Sequence, residues 1–185
     1  MLSAGPVQDP TAFPGNRIRT AVPAAPFGLI NQESDPVALE DFRGDVVLVT
    51  AVYGTCEDTC PLIFRQIKSA VALLTEAERR DLHVIAFTLD PETDTPEMLA
   101  MMTKVHGVEA PLFNTVTGDP AYVNQVLDRY DFRRWPGANG VIEHTNLIQV
   151  IDRNGDIAFR FTLGALQESW LTESLRLVLA EPLAS

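Results

Sequence analysis

Apolar and polar positions change period several times along the chain, and each change predicts an element. Val46-Val47-Leu48-Val49-Thr50-Ala51-Val52 is almost continuously apolar, the pattern of a central strand covered on both faces. Leu82 to Leu89 reads the same way. Between them Leu62, Ile63, Ile67, Ala70, Val71 and Leu74 recur at helical spacing, predicting a helix to about Leu74. Thr95-Pro96-Glu97 opens another, with Thr95 as N-cap and Pro96 in the first turn, running to about His106 and ending at Gly107. Asp119-Pro120 opens a third, to about Tyr130. Phe27-Gly28-Leu29-Ile30 and Val37-Ala38-Leu39 flank turn residues and predict an N-terminal hairpin. Residues 131–143 carry Trp135-Pro136-Gly137 and Asn139-Gly140, a loop or small hairpin. Asn146–Ile151 and Ile157–Phe161 are strands joined by the turn Asp152-Arg153-Asn154-Gly155, and a last helix is expected from about Leu166 to Leu179.

The resulting order, β-β-β-α-β-α-α-β-β-α, describes one α/β layered domain without internal repeats. Two antiparallel strands followed by a helix suit a thioredoxin-like fold: a central mixed β-sheet flanked by helices, with an N-terminal β-hairpin. The domain is expected over residues 27–185. Residues 1–26 hold five prolines, at 6, 10, 14, 23 and 26, show no periodicity, and read as an extended arm or tether. The chain has 185 residues, 21% of them charged, and a net charge of -11 without a basic run. That balance argues against nucleic acid or an anionic membrane surface as partner. No apolar run approaches the ~20 residues that span a bilayer. The N-terminus lacks the basic and long apolar regions of an intact signal peptide, so the protein is either cytosolic or has had a leader or anchor removed.

Both cysteines fall in Tyr53-Gly54-Thr55-Cys56-Glu57-Asp58-Thr59-Cys60-Pro61, between the first central strand and its helix. A helix start lowers thiol pKa and makes thiols better nucleophiles and ligands. The i, i+4 spacing places Cys56 and Cys60 on one helical face, able to close on each other or to share one ion. A disulfide over so short a loop would stabilise little, which favours redox or metal chemistry over stapling.

A metal site would need a third ligand. His83 lies in an apolar strand and His106 at a helix end, where structural roles suffice. His144 precedes a buried strand, where either a ligand or a loop role is open. Two thiolates and an imidazole suit copper, and three ligands with an open face suit it better than a structural zinc site. In Leu89-Asp90-Pro91-Glu92-Thr93-Asp94-Thr95-Pro96-Glu97, Asp90 is open between an outer-shell role and a turn role, whereas Asp94 reads as turn or cap chemistry. Met98, Met101 and Met102 could suggest copper thioethers, but their helical spacing favours core packing. Trp135 is expected exposed near the mouth of the site or simply packed.

The cysteine segment, the run Thr88 to Glu97, and His144-Thr145 ahead of Leu147–Gly155 together resemble the Sco/SenC family. The resemblance spans about Phe27 to Leu179. It implies a thioredoxin-like fold on the outer face of a membrane, the periplasmic side in bacteria, usually tethered by an N-terminal anchor missing from this chain. It also implies copper delivery, as Cu(I) or Cu(II), to the CuA-bearing subunit of cytochrome c oxidase or another cuproprotein. By motif match Cys56, Cys60 and His144 would be the copper ligands, and Asp90 an acidic neighbour. The chain lacks the Phe-Gly often found ahead of the family's cysteine segment. The expected function is thus a copper metallochaperone. The enzymatic alternative is a thiol–disulfide oxidoreductase using Cys56 and Cys60, with a thiol reductase as a further partner. A CxxxC spacing, and a histidine where thioredoxin-type reductases carry a proline, weigh toward metal. A peroxiredoxin-type reading could draw on Thr55 and Arg65, but the spacing is unlike that family.

Overall fold

Val46–Val52 forms the strand its apolar run predicts (β4), with all seven residues buried. The computed structural model describes residues 13–15, 19–57, 59–162 and 169–182. Leu82–Thr88 (β5) lies parallel to β4, pairing Val46 with Leu82 and Val52 with Thr88. Leu147–Ile151 (β9) lies antiparallel on the other side of β4, and Asp156–Thr162 (β10) antiparallel to β9. These four strands form the thioredoxin-like core. Around them the sheet extends to eight strands in the order β1-β10-β9-β4-β5-β6-β2-β3, with β1 Val22–Pro23, β2 Gly28–Asn31, β3 Pro36–Ala38 and β6 Phe113–Thr117. β2 and β3 form the predicted N-terminal hairpin. Arg134–Pro136 (β7) and Ile142–His144 (β8) make a separate small hairpin.

Among the described residues the α-helices are α1 Thr59–Ala72, α2 Glu76–Arg80, α3 Pro96–His106, α4 Pro120–Arg129 and α5 Trp170–Leu179. α1 packs against α3 and α5, and α4 lies against β5. The start expected for the last helix, near Leu166, lies outside the described residues. α3 begins and ends as read: Thr95 Oγ1 accepts from the Met98 N–H, Pro96 occupies the first turn, and Gly107 takes a left-handed conformation (φ 60°). Among the described residues no helix is long and apolar enough to cross a membrane.

Two elements depart from the hydrophobic pattern. α2 is five residues held by a capping box between Thr75 and Glu78. β6 is buried throughout, yet three of its five residues are polar. Side chains from the β2–β3 hairpin satisfy it. Gln32 donates to the Phe113 carbonyl (2.9 Å) and accepts from the Thr115 N–H (2.8 Å), and Asn31 donates to Asn114 (3.1 Å). A buried polar strand is stable only with such partners.

Of the segment read as an arm, residues 1–12 and 16–18 lie outside the described residues. The described part runs along the sheet. The Phe13 ring lies 5.2 Å from Phe159, Arg19 pairs with Asp152 and Glu181, and Val22–Pro23 pair with Ile157 and Asp156.

Candidate metal centre

The sheet register decides what meets at the cysteines. β4 delivers the chain through Tyr53 and Gly54 to Cys56, and α1 starts at Thr59. β9 runs antiparallel to β4, with Val47 opposite Ile151, and the Thr50 hydroxyl donates to the Leu147 carbonyl at 3.0 Å. Residues just before Leu147 therefore stand beyond the carboxyl end of β4. His144 is there, the last residue of β8. Thr145 fixes the hairpin's base: its N–H donates to the Arg133 carbonyl (2.9 Å), and its hydroxyl donates to Asp131 and accepts from the Arg133 N–H.

Cys56 is 9% exposed and Cys60 fully buried, and no disulfide joins them. The Cys60 N–H donates to the Cys56 sulfur at 3.3 Å, as the helix start predicts. Thr59 Oγ1 lies between Cys56 Sγ (3.5 Å) and His144 Nε2 (3.4 Å). Among the described residues no three Cys, His, Asp or Glu side chains stand together as a ready-made metal cage. Cys56, Cys60 and His144 are gathered, but the Thr59 hydroxyl occupies the gap.

The two thiols are electrostatically unequal. A hydrogen bond from the Cys60 thiol, then ones from His144, Thr59 and the Cys60 N–H, push the Cys56 pKa down to about 3 against the opposing effect of burial. Cys60 is driven upward, first by Cys56 and then by burial. The two thiols are thus driven apart, Cys56 toward the thiolate and Cys60 toward the protonated thiol. Tyr53 stands edge-on to the His144 ring, centroids 6.1 Å apart. Burial first, then the Cys56 charge, push its hydroxyl up to about 12.

Asp94 is the residue that sequence reasoning missed. The helix cap is Thr95; Asp94 is 4% exposed and faces the cysteine turn. Its two carboxylate oxygens accept from the Gly54 N–H at 3.0 Å each, and one also accepts from the Thr88 hydroxyl. Gly54 is required by this approach, since a Cβ there would stand 2.6 Å from Asp94 Oδ1. Burial raises the Asp94 pKa, opposed by these hydrogen bonds and reinforced by the charge of Asp90. Asp90 itself is half-buried at the end of β5, its N–H donating to Thr88 Oγ1 at 3.0 Å. The signal for Asp94 was its place after β5, level in the sheet with the end of β4.

The other candidates separate. His83 bonds Asp45 (2.9 Å) at the opposite end of the sheet. His106 stacks on Phe64, ring centroids 5.0 Å apart. Trp135 is 47% exposed, donates to Glu143 (2.7 Å), and lines with His144 a cleft of about 260 Å³. Met102 is buried as core packing requires, but Met101 is 70% exposed. Met98 and Met101 line a second cleft with Cys56, so the core reading fails for Met101.

The family model for SCO1/SenC matches residues 16–179. The chain belongs to the SCO1/SenC family. Among its SCO1/SenC relatives, the SCO2-like protein of Rickettsia prowazekii is 28% identical over 144 residues, 75% of this chain and 68% of that protein. The human mitochondrial SCO1 homologue is 24% identical over 140 residues, 71% of this chain and 44% of that protein. The structure of Bradyrhizobium japonicum ScoI with copper bound is 25% identical, with a TM-score of 0.68 over 85% of this chain and 99% of that one. A SCO1/SenC family lipoprotein from Bacillus anthracis shares the fold at a TM-score of 0.78 and 18% identity, over 88% and 98% of the two chains.

Proposed function

We propose that this protein binds copper through Cys56, Cys60 and His144 and carries it to a cuproprotein, the CuA-bearing subunit of cytochrome c oxidase. The observation that carries the reading is the gathering of two sulfurs and one imidazole at the carboxyl end of β4, with Cys56 held as thiolate. The donor set is soft and fits Cu(I), and its imidazole accommodates Cu(II). Membership in SCO1/SenC and the copper-bound Bradyrhizobium relative support the same cargo. Binding requires His144 to close toward the sulfurs past the Thr59 hydroxyl, while Asp94 holds the turn that presents Cys56. Asp90 tunes the site through Asp94. The location that goes with this role is extracytoplasmic, with residues 27–185 as the working domain and the described part of the N-terminal arm packed against its sheet. Anaerobic Cu(I) titration of the reduced protein against a chromophoric competitor tests the proposal. It expects one copper per chain, lost in Cys56→Ala and Cys60→Ala and weakened in His144→Ala. Competitor-limited binding equal in all four proteins would overturn it.

The unequal thiol pair favours a second reading, a thiol–disulfide oxidoreductase. The Cys56 thiolate attacks one sulfur of a partner disulfide and releases the other as a thiolate. Cys60 then attacks Cys56, the mixed disulfide opens, and the Cys60 proton passes to a departing thiolate. Two electrons leave the pair and the partner gains two thiols. This activity should survive His144→Ala, whereas copper binding should suffer.

A further inference from the structure

The Cys56 surface that remains exposed opens into a cleft of about 500 Å³ between the cysteine turn and α3, distinct from the cleft lined by His144. Met98 and Met101 lie in its α3 wall, beside Met102, Val105 and His106. They are three residues apart, so their side chains are neighbours on the helix surface. Met101 is 70% exposed despite being apolar. The Met98 ε-methyl reaches to 3.7 Å from where a Gly54 Cβ would stand, at the cysteine turn itself. Packing therefore does not account for the Met101 thioether, and Met98 is half-buried beside it at the cysteine turn. The acidic side chain lining the cleft is Glu57, and His106 also lines it. A soft cation is thus favoured by charge as well as by ligand type, because thioethers select Cu(I).

We propose that the thioethers of Met98 and Met101 form a second, weaker Cu(I) site from which the ion passes to the Cys56 sulfur, which lines the same cleft. The proposal rests on the copper reading above. No electron changes hands: bonds from Cu(I) to thioether sulfur break as a bond to the Cys56 sulfur forms. The pair would act as a receiving ledge, capturing the ion in the open and handing it to a sulfur that is itself almost buried.

The test uses protein carrying 13C only in its methionine methyls, in a Cys56→Ser/Cys60→Ser/His144→Ala background. It is titrated anaerobically with Cu(I) supplied in acetonitrile. The methyl signals of Met98 and Met101 are expected to move together while that of Met1 stays. No movement, or equal movement of Met1, would overturn the proposal. A second measurement covers poor folding of that variant. Met98→Leu/Met101→Leu conserves volume on a partly exposed face and leaves the fold intact. Its loading from Cu(I) bicinchoninate, followed by stopped flow, should be several-fold slower than in the unaltered protein; an equal rate would overturn the proposal. If instead Cys56→Ala and Cys60→Ala load copper normally, the cysteine site fails, and the methyl shifts still report on the thioether site separately.

Discussion

Replacing Asp94 by alanine tests how the cysteine turn is held. The carboxylate is the acceptor for the Gly54 N–H, through both oxygens at 3.0 Å, and for the Thr88 hydroxyl. Without it, a main-chain donor and a buried hydroxyl lose that partner, at ~1–3 kcal/mol for an unsatisfied buried donor. Against this, alanine removes a carboxylate that is itself costly to bury. The net loss should be about 2 kcal/mol at neutral pH, or ~4–8 °C in Tm for a chain of this size. Urea and thermal unfolding of the reduced protein, followed by far-UV circular dichroism, measure it. A loss under about 0.5 kcal/mol, the scale of ordinary surface changes, would refute the reasoning. Gly54→Ala attacks the same contact from the other side, because the new Cβ would meet Asp94 Oδ1 at 2.6 Å. The two substitutions should therefore be coupled by at least ~0.5 kcal/mol in a double-mutant cycle, and strict additivity would show that the contact does not hold the turn. The pH dependence has a definite sign. Burial raises the folded-state pKa of Asp94, so its proton binds the folded protein more readily than the unfolded chain. The proton-linked part of this group's stability contribution is fully present at acid pH, below the unfolded value of about 3.9, and is lost as pH rises through the raised folded value. The cost of Asp94→Ala should accordingly shrink from acid toward neutral pH.

Thiolate absorbance near 240 nm in the metal-free protein should show one thiolate already at pH 5, from Cys56, whose pKa stands at about 3. In Cys60→Ala its titration should move to higher pH, since the Cys60 thiol is the largest cause of that low value; an unchanged titration contradicts the pairing. Arg153 donates to the Gly44 carbonyl (2.8 Å) and the Leu179 carbonyl (2.9 Å), far from the cysteines. Arg153→Ala should lower stability by ~1–3 kcal/mol in urea while leaving the thiolate spectrum unchanged. Thr95→Ala removes the α3 cap and should cost ~1 kcal/mol by the same assay; no loss would mean that Thr95 does not act as the cap.

The elements legible in the sequence were those whose local chemistry agreed with their burial. β4 is apolar and buried on both faces, and α3 carries its own start and stop in Thr95, Pro96 and Gly107. β6 was hidden because Asn114, Thr115 and Thr117 are polar, and their burial depends partly on Gln32, Asn31 and the Asp94 carbonyl, far away in sequence. At the site, two cysteines in one turn announce themselves. The arrival of His144 follows from the antiparallel register of β9, which no local pattern encodes. Asp94 was misread because Asp-Thr-Pro is a convincing cap signal. Thr95 takes that role alone, leaving the carboxylate free to turn inward. The methionines show the converse: helical spacing is common to core residues and to any other stripe on α3, and only the exposure of Met101 separates the two.

The ends of the eight-stranded sheet carry a consequence for association. One edge strand, β1, is Val22–Pro23, and the other, β3, is Pro36–Ala38. Each is two or three residues long and contains a proline, which has no N–H to offer a neighbouring chain. Neither edge can template a further strand of useful length, so edge-to-edge growth of the sheet is discouraged at both sides. The cysteine turn follows β4, which has three strands of the sheet on one side and four on the other. Proline at both edges therefore limits strand addition on either side of the strand that leads to the cysteines.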